Sequence, residues 1–315
     1  MSPRAKGVLI ASTGTVAWAT TAIFIRYLLT HYTLTPFTLA FWRDLFLALS
    51  LLLVFRVARP DILRLKWRDL PFLVIYGGVI LASFNASWTV SVDLNGAAVS
   101  TVMAYCSPAF AVVLERLILK EPFTWRKAVA AVLSLIGCAG VAKAYAPEVW
   151  RLNPLGLVIG VTSGLAFAVY SLAGRWSAKR YASPWTVMTY GFLFAACALS
   201  LTQRPNTIFA LGTHWDGWLI LATLSLVPTL IGYGLYTVSL RYLPASVGTV
   251  IASMEPAFTA VLAIFILGEQ LEPLQWLGAG LILGAVLLAQ SGAVDNPSQG
   301  DVRLPLDKPV ANADN

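Results

Sequence analysis

This sequence is short of charge. Charged residues fill 12% of its 315 positions, about half the share in a soluble domain. Histidine is scarcer still. There are two, His31 and His214, and neither stands at metal-ligand spacing from other donors. No HExxH pattern occurs, which leaves a membrane-embedded metalloenzyme without its ligands. No GxxxxGK[ST] loop occurs, so an ATP-driven P-loop machine is excluded. No filter-like loop or ring of charges suggests a selective channel. The three cysteines, Cys106, Cys138 and Cys197, all fall in apolar stretches. They read as small packing residues, not as disulfides or ligands. No cofactor and no metal are expected.

What is present is apolar. Hydrophobic residues make up 58% and the mean hydropathy is +0.73. A membrane-crossing helix needs about 20 mainly apolar residues. Ten such stretches can be drawn, near 7–29, 34–56, 71–92, 97–119, 127–145, 154–174, 184–202, 217–240, 245–267 and 274–291. The net charge of +7 does not point to nucleic acid, because its distribution is ordered. With the N-terminus in the cytoplasm and sides alternating, 17 of the 22 Lys and Arg fall on inner segments, among them Arg56 to Arg68. Three, Lys143, Arg151 and Arg204, fall outside, and Arg26 and Arg43 fall within spans. This is the positive-inside asymmetry, and it places both termini in the cytoplasm. The N-terminal apolar run is read as part of the fold and not as a signal peptide. Residues 292–315 are polar and are expected to form a disordered cytoplasmic tail.

The chain is also written twice. Residues 88–121 match residues 236–269 at a constant offset of 148, with 16 identities in 34 positions and no gap. "GVLIASTGTVAWATTAIFIR" from Gly7 aligns more weakly with "GLVIGVTSGLAFAVYSLAGR" from Gly156, and sets Trp18 against Phe167. Two halves of five helices follow, 1–148 and 149–291. Five is odd, so the second half enters the membrane upside down. Inverted repeats can exchange roles between inward-open and outward-open states, which is a transporter signature. Gly156, Gly160 and Gly164, and likewise Gly280 and Gly284, recur every four residues and are expected to pack helices closely.

The repeat sets Ser107-Pro108 opposite Glu255-Pro256, each near mid-span. A mid-helix proline removes a hydrogen bond and frees the carbonyl four residues back, here Ala104 and Ala252. Such breaks in lipid must face protein or a wet cavity, so the two pairs are expected to gate a central site. Glu255 shares a face with Gly248, Ala252 and Thr259 and should point inward. An acid at that depth costs on the order of 3 kcal/mol, which argues for a use. It could carry a proton or bind a substrate ammonium, and a packing role stays open. Similar faces bring forward Trp18, Asn85, Trp88, Tyr105, Phe167, Tyr170, Tyr233 and Tyr236 as candidate substrate contacts, with Ser107. Arg43 and Asp44 point about 100° apart on one helix and are expected to need separate partners. Arg43 could bind a carboxylate or serve structure, and both readings stand.

The stretch "SVGTVIASMEPAFTAVLAIFILGE", its first-half twin and the ten-span duplication resemble the drug/metabolite transporter superfamily, in particular its EamA-type members. The aromatic faces are similar to those of the aromatic amino acid exporters in that group. This resemblance implies an all-α bundle of ten transmembrane helices with a central substrate cavity and peripheral fifth and tenth helices. It implies export of amino acids from a bacterial inner membrane by a protein that is not an enzyme. The bilayer and small molecules are then its partners, and a monomer is expected. "CSPAF" departs from the family pattern in having Ser107 where an acid is usual, which leaves Glu255 as the one acid expected at the centre.

Overall fold

The computed structural model describes residues 2–147, 153–181, 183–267 and 272–291. The expected tail, Glu269 and Trp150 lie outside them. Helices account for nearly all of the described chain, and no strand occurs among those residues.

The first half starts with α1 (Pro3–Trp18) and α2 (Thr21–His31), which follow one path with an interruption at Ala19-Thr20. Then come α3 (Pro36–Ala58), the short α4 (Leu70–Val74) and a π turn over Ile75–Leu81 that feeds α5 (Ala82–Ala104). The chain turns over inside α5 at Gly96, where φ is +77°. That left-handed value suits glycine because no Cβ opposes it. α6 (Ser107–Leu114) and α7 (Trp125–Val141) complete the half. The second half runs α8 (Pro154–Arg180), α9 (Pro184–Ser200), a turn of α10 (Pro205–Ile208) and α11 (Trp215–Leu224). A π turn holding Pro228 leads on to α12 (Leu230–Ser239), α13 (Ala245–Ala252), α14 (Glu255–Leu267) and α15 (Pro273–Ser291).

Among the described residues, six helical stretches are long and apolar enough to cross a membrane: Pro3–His31, Pro36–Ala58, Trp67–Gly96, Val99–Leu119, Pro154–Ala178 and Trp215–Ser239. The other four expected spans are helical but shorter or interrupted. α7 and α9 have 17 residues each, α13 and α14 divide one span into 8 and 13, and the apolar stretch of α15 is the shorter Pro273–Ala289. The chain is an all-α membrane protein.

Both prolines stand at helix breaks, as expected, but not in mid-helix. Neither kinks a continuous helix. The helix stops at Tyr105 and restarts at Ser107, and it stops at Ser253 and restarts at Glu255. Pro108 and Pro256 sit in the first turn of the new helix, where an N–H has no intrahelical partner anyway. The break at Ala19-Thr20 was not legible, since no Pro or Gly marks it. Thr259 mends it from α14: its hydroxyl donates to the Ala19 carbonyl at 2.9 Å.

Small residues set the close contacts, though not always the expected ones. A Cβ on Gly164 would meet the Ala104 carbonyl at 2.9 Å, and one on Gly160 would meet Met103 at 2.8 Å. The α8 glycines therefore seat that helix on the first break. Gly280 and Gly284 meet nothing within 4 Å among the described residues, and α15 instead approaches α7 through Gly278 against Gly137.

One buried acid ties the halves together. Glu115 Oε1 accepts from the Ser246 N–H at 2.7 Å, and Oε2 from the Ser246 hydroxyl at 2.6 Å and Lys127 Nζ at 2.9 Å. It thereby satisfies an otherwise orphaned donor in the first turn of α13.

Gly77 gives a direct test of packing. A Cβ there would stand 2.2 Å from the Gly191 carbonyl, and overpacking typically costs about 1–3 kcal/mol. Gly77→Ala should lower the thermal midpoint in detergent by several degrees, while Gly280→Ala should leave it in place. Equal midpoints for both variants would refute this packing.

Candidate functional site

A cavity lies where the breaks meet. Trp18, Thr21, Arg43, Phe84, Trp88, Thr101, Ala104, Tyr105, Phe167, Tyr233 and Glu255 line it. It offers about 40 Å³ to the centres of water molecules, room for a few waters. A typical ligand pocket runs to roughly 300 Å³ or more, so the chamber is closed down in this conformation.

Its walls are aromatic and interlocked. Trp18 sets an edge against Tyr233 at 5.0 Å between ring centroids and against Phe167 at 6.0 Å. Phe84 stacks on Phe167 at 5.0 Å. Edge-to-face and offset stacks of this kind add about 0.5–1.5 kcal/mol each beyond burial. Trp18 fits because position 232 is glycine: a Cβ there would stand 2.4 Å from the indole ring.

Two ionisable groups, Glu255 and Arg43, interrupt the apolar wall. Glu255 is the first residue of α14, where a helix N-terminus favours negative charge. Its Oε2 accepts from the Tyr105 hydroxyl at 2.6 Å. Because Tyr105 ends α5, this one bond joins the two breaks. Arg43 is 1% exposed, yet its Nε and Nη2 make no hydrogen bond among the described residues. Its contact is with Asp44, Nε to Oδ1 at 3.5 Å. A buried polar atom without a partner is expensive, and here the atoms belong to a cation on a cavity wall. The Thr21 hydroxyl, on the same wall, is likewise unpartnered.

The structure corrects the expectation that Arg43 and Asp44 need separate partners. The long Arg43 side chain folds back onto its neighbour. Asp44 also accepts from Asn85 Nδ2 at 2.9 and 2.8 Å, and Asn85 Oδ1 accepts from Tyr233 at 2.7 Å. A chain of bonds thus runs from Tyr233 on the wall, through Asn85, to a second buried acid. Glu255 is not the only acid near the centre.

Of the candidate contacts, Trp18, Trp88, Tyr105, Phe167, Tyr233, Glu255 and Arg43 reach the cavity. Asn85 does not, because both ends of its amide are used behind the wall. Tyr236 and Tyr170 stand behind Phe167, with hydroxyls bonded to Ser171 at 2.7 Å and Thr237 at 3.0 Å. Ser107 is fully buried, its hydroxyl has no hydrogen-bond partner among the described residues, and it is not among the residues that line the chamber. Phe84 was missed. It stands four residues before Trp88, on the same helical face, and that spacing could have found it.

The architecture and this central chamber can be set beside known proteins. The model of the EamA-like transporter family matches residues 5–143 and again residues 154–290. The chain belongs to the EamA-like transporter family. The two matches correspond to the two halves of the sequence. The threonine/homoserine exporter RhtA of Escherichia coli is 28% identical over 243 residues, covering 76% of this chain and 77% of its own. The uncharacterized inner membrane transporter YicL of Salmonella typhimurium is 25% identical over 297 residues, 91% of this chain and 96% of its own. An uncharacterized transporter of Archaeoglobus fulgidus is 25% identical over 233 residues, covering 74% and 78%. A solved crystal structure aligns over 92% of this chain and 99% of its own, with a TM-score of 0.72 and 18% identity, and so shares the fold. The chain is a multi-pass membrane transporter of this EamA-like family.

The wall network yields a stability prediction. Asn85→Leu removes both bonds to the Asp44 carboxylate and strands the Tyr233 hydroxyl. Each buried group left unsatisfied costs about 1–3 kcal/mol. The variant should unfold well below the parent in detergent. Tyr233→Phe should cost less, because it strands only the Asn85 Oδ1 acceptor and keeps both bonds to Asp44. An Asn85→Leu midpoint equal to that of the parent would show that the network carries no stability.

Proposed function

We propose that this transporter exports amphipathic amino acids, aromatic ones among them, across a bacterial inner membrane by alternating access. One observation carries the reading: a buried, under-bonded Arg43 and the Glu255 carboxylate line the same aromatic chamber. A zwitterion has the complementary charges. Its carboxylate would take the free guanidinium nitrogens, which suit a planar two-point partner. Its ammonium would take Glu255 Oε1, which accepts no bond among the described residues. An apolar or aromatic side chain would lie against Trp18, Phe84 and Phe167. The kinship with a threonine/homoserine exporter supports the amino acid class.

Residues 1–148 and 149–291 act, in this reading, as inverted repeats that exchange roles about the chamber. The closed volume fits an occluded stage of such a cycle. A substrate enters only when α6 and α13, or the opposite ends of the same paths, separate. Both termini and the loop of Arg56 to Arg68 face the cytoplasm, as the charge asymmetry requires.

Counterflow of labelled phenylalanine in proteoliposomes tests the binding scheme. Arg43→Gln removes a charged hydrogen bond worth about 1.5–3 kcal/mol and should weaken phenylalanine roughly 10–100-fold. It should leave competition by phenethylamine, which has no carboxylate, unchanged. Glu255→Gln should do the reverse, sparing competition by 3-phenylpropionate, which has no ammonium. If Glu255→Gln keeps normal exchange and loses only pH-driven accumulation, Glu255 is a proton carrier and not an ammonium site. Uniform loss for all three compounds would reduce both residues to packing. Topology is checked separately. In a background without cysteines, Pro60→Cys should react with an impermeant maleimide only after the cells are opened, and labelling of intact cells would overturn the orientation.

A further inference from the structure

A second cavity lies on the face that carries the basic loops. It shares no lining residue with the aromatic chamber and measures about 780 Å³. The end of α3, the loop that follows it, the junction of α8 with α9 and the end of α12 enclose it. Five cations line it: Arg59, Arg64, Lys66, Arg180 and Arg241. Two carboxylates stand against them. Asp61 pairs with Arg59 at 3.4 Å and Asp69 with Arg180 at 3.4 Å. Arg241 donates to the Tyr181 carbonyl at 3.3 Å. Arg64 and Lys66 have no ion pair or side-chain hydrogen bond among the described residues. The concavity therefore holds more positive charge than its own acids balance. Ser183, on the rim, spends its oxygen as an acceptor from the Trp185 N–H, which leaves its hydroxyl hydrogen to donate.

The surroundings say which anion fits. α3 is one of the six span-length apolar helices. Just before Arg59 its outer side chains are bare: Leu53 is 69% exposed, Val54 54% and Val57 81%. Trp67, next to Lys66, is 87% exposed. Exposed aliphatic residues at the end of a span are lipid-facing, and Trp is favoured at the headgroup level. The cavity thus lies where α3 leaves the hydrocarbon. Basic pockets at that depth attract anionic headgroups.

We propose that this cavity seats the phosphate of an anionic phospholipid, held by Arg64 and Lys66, with acyl chains along Leu53, Val54 and Val57. The site is independent of the substrate reading and stands or falls apart from it. A phosphate in solution has the same chemistry, and the exposed aliphatic flank of α3 favours the lipid.

The test uses the full chain, freed of native lipid and returned to phosphatidylcholine nanodiscs. Phosphatidylglycerol is titrated in, with inorganic phosphate as a second probe. Binding is read by native mass spectrometry and by the thermal midpoint. One phosphatidylglycerol should be retained in preference to phosphatidylcholine. Surface-near Lys and Arg contribute about fivefold each in affinity, so Arg64→Gln with Lys66→Gln should weaken retention roughly 30-fold. Arg64→Lys with Lys66→Arg should bind like the parent, which guards against a folding artefact. Arg68→Gln, in the same loop but outside the cavity, should also bind like the parent. Equal weakening by Arg68→Gln would overturn the site in favour of diffuse attraction. Saturation by inorganic phosphate with no preference for phosphatidylglycerol would overturn the lipid assignment. No difference between parent and double variant would overturn both.

Discussion

A helix that stops in mid-membrane must hand its loose backbone groups to other protein, because hydrocarbon offers none. Three interruptions in this chain obey that rule, and the rest of the structure is arranged around them. At Ala19 the loose carbonyl is taken by Thr259. At Ala104 it is covered by α8, which can approach only because residue 164 is glycine. At the break before Glu255 the Ser253 carbonyl accepts from Cys138 Sγ at 3.4 Å, and the breaks at Tyr105 and Glu255 are joined side chain to side chain. The interruptions therefore collect at one place, and the chamber is the space between them. Its closeness to the breaks is a consequence of where irregular backbone can survive.

Much of this could be read in the sequence, and the reason is the duplication. An offset of 148 aligns two proline breaks, and two aligned breaks define a centre. The aromatic faces followed from helical spacing alone, and five of the aromatic residues chosen that way reach the chamber. The failures have a common source. Helical spacing gives the direction of a Cβ, not where a long side chain ends. Arg43 was assigned a direction away from Asp44, yet its side chain curls back to it. Asn85 lies on the inward face but its amide is spent on Asp44 and Tyr233. Tyr170 and Tyr236 face inward too, and Phe167 stands in front of them. The break at Ala19-Thr20 carries no Pro or Gly, so only the tertiary partner Thr259 reveals it.

The buried acids divide by how they are held. Asp44 has Arg43 on one side and the Asn85 amide on the other. Removing one partner from such a group leaves a charge stranded in a low-dielectric interior, which typically costs about 3–5 kcal/mol. That makes Asp44 a fixed part of the wall, and it keeps Arg43 pointed at the chamber without consuming its nitrogens. Glu255 has one phenol and a helix N-terminus. It retains an oxygen for something else. A buried carboxyl group is thus structural in one case and available in the other, and the difference lies in the count of donors.

The likeness of the two halves stops at their locks. Glu115, at the end of α6, is tied to α13 through Ser246 and to α7 through Lys127. At the offset of 148 the corresponding positions hold Ala263, Ala98 and Gln275, so the duplicated half has no such tie. On the opposite face the ties made by carboxylates are exposed: Glu272 to Lys143 at 2.7 Å and to Tyr145 at 2.5 Å, and Tyr32 to Asp216. Exposed pairs are worth about 0–1 kcal/mol, whereas a buried carboxylate stripped of its donors costs several times that. Separating α6 from α13 would strip a buried carboxylate, whereas the buried ties at the opposite ends are neutral, Gln275 Nε2 to the Val141 carbonyl at 2.9 Å and Ser91 Oγ to the Gly156 carbonyl at 3.1 Å. An inverted repeat of identical halves would open with equal ease on either face. In the proposed alternating-access cycle, one glutamate, present in one copy and alanine in the other, would set the two faces apart.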